Sequence, residues 1–135
     1  MRLIVDANIL FAALIKESTA RWLIFHLDAE LIAPEFILEE IEKHKEEILK
    51  KSKLDEKELT SILEKLKERI VLLSDEVTIT KLDEAFSLMK DIDENDCLFL
   101  AAALVTHSGI WSDDAHFKKQ SKVKVWTTKE LVQFL

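Results

Sequence analysis

The chain has 135 residues, 48% of them hydrophobic, and a net charge of −7. This length suits one domain with a real core, the apolar content excludes intrinsic disorder, and the acidic balance argues against a protein that simply coats nucleic acid. It leaves open a protein that meets phosphates through divalent cations held at an acidic site. Cys97 is the single cysteine, so an intrachain disulfide and a cysteine-rich zinc site are excluded. No apolar run is long enough to span a bilayer. Asp6 interrupts the apolar N-terminus, which reads as the buried strand of a cytoplasmic protein rather than as a secretion signal.

Arg2 to Val5 is predicted as that first strand, ended by Asp6. Ala7 to Ile15 and Thr19 to Leu27 carry helical patterns, with Ser18 or Thr19 as the cap between them. Leu31 to Ala33 is a short strand candidate. Pro34 is expected to open a helix that runs to roughly Lys50 and places Phe36, Ile37, Glu40, Ile41 and His44 near one another. Asp55 to Glu68 is amphipathic, with Leu59, Ile62, Leu63 and Leu66 on its apolar side. Ile70 to Leu73 is the next strand, and Thr78 to Met89 a helix with Leu82, Ala85, Phe86 and Met89 spaced for a core. An acidic loop, KDIDEND, leads into the nearly all-apolar helix CLFLAAALVTH, for which Gly109 is the expected C-terminal cap. Ile110 and Trp111 form a short strand, Val123 to Trp126 a last strand, and Thr128 caps a final helix. Strands alternating with helices indicate an α/β fold with a mainly parallel central sheet covered on both faces, and residues 1–135 read as a single domain.

In such a sheet ligands bind beyond the carboxyl ends of the strands. Asp6 follows one strand there, and Asp113 and Asp114 follow Ile110-Trp111. If these strands are neighbours their acids meet, and clustered carboxylates in an apolar setting call for a hard cation such as Mg²⁺ or Mn²⁺. Asp96 lies in the first turn of the apolar helix and Asp93 three residues earlier. Acids at that place also serve as helix caps, which is the preferred role for Asp93, while Asp96 is suited to both. Glu40 stands among Phe36, Ile37 and Ile41, although a lone helical Glu is usually a surface residue. Asn8 is suited to orienting a carboxylate or to capping the first helix, and Ser112 to bonding within the acid cluster or starting a turn. His26, His44 and His107 read as surface or packing residues, and His116, close to Asp114, as a weak additional candidate. A glycine-rich phosphate loop and a glycine-elbow serine are absent, and Cys97, Trp22, Trp111 and Trp126 read as core.

The segments VDANIL, PEFILEEIEKH, DENDCLFLAAAL and IWSDDAHF, in this order and spacing, resemble the PIN-domain nucleases over nearly the whole chain, and most of all the compact prokaryotic members of VapC type. The resemblance implies a three-layer α/β/α sandwich and Mg²⁺- or Mn²⁺-dependent hydrolysis of single-stranded RNA. It implies a toxin paired with an antitoxin protein, and a homodimer. It puts the family's catalytic acids on Asp6, Glu40, Asp96 and Asp114, with Asp6, Asp96 and Asp114 as metal ligands. Asn8, Asp93 and Ser112 fall on its supporting positions. Ala7 departs from the Ser or Thr often found there, which removes one supporting hydrogen bond.

Chemically this implies metal-assisted phosphodiester hydrolysis, with Glu40 and Asp93 positioning the water or a second ion. Lys16, Arg21, Lys118 and Lys119 are candidates for backbone phosphate contacts, although each alone reads as ordinary surface charge. One alternative is a catalytically silent scaffold that binds a partner through apolar helix faces around Trp22 and Phe25 or along Asp55 to Glu68. Another is an acid-cluster phosphatase, disfavoured because no Asp-x-Asp pair follows the first strand.

Overall fold

In the computed structural model, which describes residues 1–89 and 94–135, the branched residues at the N-terminus form strand β1 (Arg2–Val5). Leu3, Ile4 and Val5 are fully buried, as expected for a strand covered on both faces. Helices α1 (Ala7–Ile15) and α2 (Thr19–His26) follow, and the Ser18 hydroxyl caps α2 by accepting from the Arg21 amide at 3.2 Å. Next come β2 (Glu30–Pro34), α3 (Ile37–Lys43), α4 (Lys45–Ser52), α5 (Glu56–Arg69) and β3 (Ile70–Leu73). The short α6 (Asp75–Thr78) and α7 (Leu82–Leu88) precede α8 (Glu94–Thr106), β4 (Gly109–Trp111), β5 (Val125–Trp126) and α9 (Thr128–Val132).

Among the described residues the strands form one parallel sheet in the order β3-β2-β1-β4-β5. Helix α8 packs on β1, β2 and β4 together with α6 and α7, and α1 packs with α2, α3, α4 and α5 in the other layer. This is the three-layer α/β/α sandwich expected from the sequence. The run Ala101, Ala102 and Ala103 is buried along α8, where small side chains let a helix approach a sheet closely. The described helices include none long and apolar enough to cross a membrane.

Several local expectations are corrected. Pro34 ends β2 instead of opening a helix; the next residue's amide, Glu35 N, bonds Leu73 O at 2.8 Å, and a proline at a strand end sacrifices no internal ladder bond. The following helix breaks at His44 (φ −101°, ψ 12°), so that α3 and α4 both lie against α1. The expected Thr78–Met89 helix is divided by a 3-10 turn, Ile79–Lys81. There the Thr78 and Thr80 hydroxyls bond backward to Ser74 O and Val77 O, at 3.0 and 2.7 Å, and loosen the helical pattern. Phe86 is exposed rather than core, whereas Ala85 and Met89 are buried.

Gly109 is not a helix cap. The left-handed position after α8 is His107 (φ 53°), and Gly109 is the first residue of β4. A Cβ there would stand 3.2 Å from the Lys124 carbonyl and from the Trp126 ring, so a side chain would crowd the close approach of β5. Thr127 rather than Thr128 caps α9, in a reciprocal capping box with Glu130. Trp22 is 48% exposed and stacks on His26, so it is not core. Leu59 and Leu66 of α5 are buried in the molecule's own core, and Ile62 and Leu63 are partly buried against it.

Arg69, the last residue of α5, crosses to α2 and donates to Ile24 O at 2.8 Å and Leu27 O at 2.9 Å. It thereby satisfies carbonyls that the end of α2 leaves without helical partners. Arg69→Met keeps the aliphatic stem but removes both donors. It is expected to lower the unfolding free energy by about 1–3 kcal/mol, read from urea denaturation.

Candidate active site

The register of the sheet sets the site. Val5 of β1 pairs with Trp111 of β4, so Asp6 and Ser112 leave the sheet side by side at its carboxyl edge. The Asp6 amide donates to Trp111 O at 3.1 Å and continues the ladder by one step. Asp6 occupies the cap position of α1, yet its side chain makes no cap bond. Its Oδ2 accepts from the Ser112 hydroxyl at 2.8 Å, and the Ser112 oxygen accepts from the Asp114 amide at 3.0 Å. One fully buried serine therefore fixes the first acid and the loop that carries the last.

Asp6 is only 4% exposed. Burial raises its pKa from 3.8 to about 6, assisted by the charges of Asp96 and Asp114 and opposed by the Ser112 hydrogen bond. Asp96, in the first turn of α8, and Asp114, after β4, come together in front of it. The ring nitrogen Nδ1 of His116 lies 3.2 Å from Asp114 Oδ1 and 3.7 Å from Asp96 Oδ2. One donor atom from each of Asp96, Asp114 and His116 falls within a 4.8 Å span, a grouping able to hold a metal ion. His116 is only a weak candidate by sequence. Its signal was its place two residues after Asp114, in a 3-10 turn (Ala115–Lys119) started by the Asp114 carboxylate accepting from the His116 amide at 2.9 Å.

Neighbouring Asp113 has a different task. Its carboxylate accepts from the Thr128 amide at 2.8 Å and the Thr128 hydroxyl at 2.7 Å, and Trp111 Nε1 donates to that hydroxyl at 3.0 Å. Asp113 thus anchors the start of α9, leaving Asp114 to face Asp96. Glu40 is half-buried on α3, unlike exposed Glu39, and its Oε2 lies 3.8 Å from His44 Nε2, outside the Asp96–Asp114–His116 grouping. Asn8 lies one turn into α1, past the cap position, exposed on the cleft wall. Asp93 lies outside the described residues.

An open cleft of about 680 Å³ borders the site, lined among others by Asn8, Lys16, Ser18, Asp113 and Asp114. Of the expected phosphate contacts, Lys16 is exposed in this cleft. Arg21 is not available: its guanidinium donates to Ala13 O at 2.6 Å and reaches Leu14 O, tying α2 to the end of α1. Lys118 lines a separate groove with Lys124 and Glu130, and Lys119 is exposed on the 3-10 turn. Cys97 is buried on α8, as a packing residue.

The family model of the PIN domain matches residues 4–135. The chain belongs to the PIN domain family. The PIN fold seen here is similar to a chain in the crystal structure of VapBC2 from Rickettsia felis bound to a DNA fragment from their promoter. The TM-score is 0.70 at 17% identity, covering 94% of this chain and 98% of that one. No curated protein matches the sequence of this PIN domain.

The raised pKa of Asp6 makes a prediction for the metal-free protein. Between pH 3.8 and about 6 the native state keeps a proton that the unfolded chain has released. Its stability therefore falls as pH rises through that window. Asp6→Asn removes the penalty while its amide oxygen can still accept from Ser112. It is expected to raise stability at pH 7 by roughly 1–3 kcal/mol and to flatten this part of the pH profile, checked by thermal melts in EDTA.

Proposed function

We propose that this PIN domain is a metal-dependent endoribonuclease that hydrolyses phosphodiester bonds of single-stranded RNA. We further propose that it is the toxin of a toxin–antitoxin pair in the cytoplasm, with residues 1–135 forming a single nuclease domain. The observation that carries the reading is the convergence of Asp96, Asp114 and His116 in front of buried Asp6 at the carboxyl edge of the sheet. The donor set fits a hard divalent cation, because most of its atoms are carboxylate oxygens and buried Asp6 faces the charges of Asp96 and Asp114. The likeness to VapBC2, solved on promoter DNA, supports an antitoxin partner for this chain. A homodimer is the proposed assembly.

In this reading Asp6, Asp96 and Asp114 would hold Mg²⁺ or Mn²⁺, with His116 as a further donor. When bound, the ion supplies an activated water for in-line attack at phosphorus and offsets charge on the phosphate oxygens. Ser112 keeps the Asp6 carboxylate oriented by a hydrogen bond from its hydroxyl. Glu40 and Asp93 are assigned to orienting the attacking water. The Asn8 amide, exposed in the cleft, is assigned to donating to a phosphate oxygen. Lys16 contributes positive charge to the same wall.

Purified protein is expected to cleave single-stranded RNA with Mn²⁺ and to lose cleavage in EDTA. Asp114→Asn is expected to reduce the rate on the order of 100-fold or more. Asp113→Asn should instead mainly lower the melting temperature, because its partner is Thr128. Addition of Mn²⁺ should raise the melting temperature of the native protein but not of Asp6→Asn. Cleavage that persists both in chelator and in Asp6→Asn would falsify the metal–carboxylate reading.

A further inference from the structure

A second cleft, of about 480 Å³, shares Asn8 and Ala12 with the first, so the two are continuous along one face of α1. The two ends differ in chemistry. The first carries Lys16, which makes no ion pair among the described residues, and Asp114 of the acid cluster. The second is walled by Ile15 and Ile48 and contains the rings of Phe11 and His44. These rings meet edge to face, with centroids 5.6 Å apart and planes at 72°. Such a contact covers a single ring face between the two, and the His44 side chain is 42% exposed. At the far rim Lys51 is neutralised by Glu47 at 2.7 Å, so that end offers no free charge for a phosphate.

We propose that the Phe11–His44 cleft is a nucleobase subsite, which holds one unpaired base of the substrate strand while its phosphates follow the Lys16 side past Asp114. This rests on the nuclease reading above. Single-stranded RNA is recognised mainly by stacking splayed bases on ring side chains and by hydrogen bonds to their edges. The cleft supplies both kinds of contact: two rings between apolar walls, and at its junction the amide of Asn8, which pairs a donor with an acceptor as a base edge requires. Its volume lies in the range of small-ligand sites. A strand held by stacking at one end and by Lys16 at the other is drawn across the acids. Asn8 then stands between base and scissile phosphate, which accounts for its exposure in both clefts.

The test uses the full chain in EDTA, so that nothing is cleaved, and a tetraribonucleotide carrying one 2-aminopurine. Binding is expected to quench the 2-aminopurine fluorescence. Phe11→Leu and His44→Leu, which keep apolar bulk but delete a ring, should each abolish the quench and weaken binding by about tenfold or more. His44→Phe should retain it. The rise in melting temperature on addition of Mn²⁺ should be the same in Phe11→Leu as in the native protein. Quenching that both leucine variants preserve overturns the subsite, even if RNA is cleaved normally. Ring-dependent quenching without any cleavage upholds the subsite and removes the nuclease reading. Leucine variants that impair only the binding of a protein partner assign the cleft to that partner and overturn the proposal.

Discussion

Everything at the site depends on the parallel pairing of β1 with β4. That register brings Asp6 and Ser112, 106 positions apart, to a 2.8 Å hydrogen bond between buried side chains. A buried carboxylate without such a donor is costly, and near two further acids it is costlier. The serine offsets part of the cost, and the remainder appears as the raised pKa of Asp6. The fold thus maintains a repulsion between carboxylates that a bound cation would relieve.

Residues of the same kind, adjacent in sequence, are separated into different work by the backbone around them. Asp113 holds the start of α9 through Thr128, while Asp114 faces Asp96 and His116. Thr127 caps α9 and Thr128 receives Asp113 and Trp111. Lys16 opens into the cleft, but Arg21 is consumed in joining α1 to α2. Asp113 and Arg21 thus serve the framework, whereas Asp114 and Lys16 remain open to the cleft. The same division runs along α1: Ile9, Leu10, Ala13 and Leu14 are buried, and Asn8, Phe11 and Ala12 line the two clefts.

Local patterns made much of this legible. The branched run Leu3 to Val5, the apolar face of Asp55 to Glu68 and the small-residue helix after KDIDEND each announce one element, because burial on both faces or along one stripe restricts composition. The errors fall where two elements compete for one residue. Pro34 is compatible with a helix start and with a strand end, and the Leu73 carbonyl decided for the strand. Gly109 looks like a cap, yet the requirement met is close approach to Trp126. Phe86 and Trp22 have the spacing of core residues, but spacing tells which residues share a face and not whether anything covers that face. His116 was undervalued because its partner Asp96 comes from a distant helix.

By itself the sequence determined the α/β layering and the placement of acids at the ends of strands, since both follow from periodicity and from residue type within a few positions. It also carried the resemblance to the PIN domains. Only the tertiary structure decided that β1 and β4 are neighbours, that Asp6 is bound to Ser112, and that Asp96, Asp114 and His116 converge. These depend on contacts across the sheet, where a shift of one register position would turn each side chain to the other face. The carboxylate cluster is therefore written locally, residue by residue, but it becomes a site only through long-range strand order.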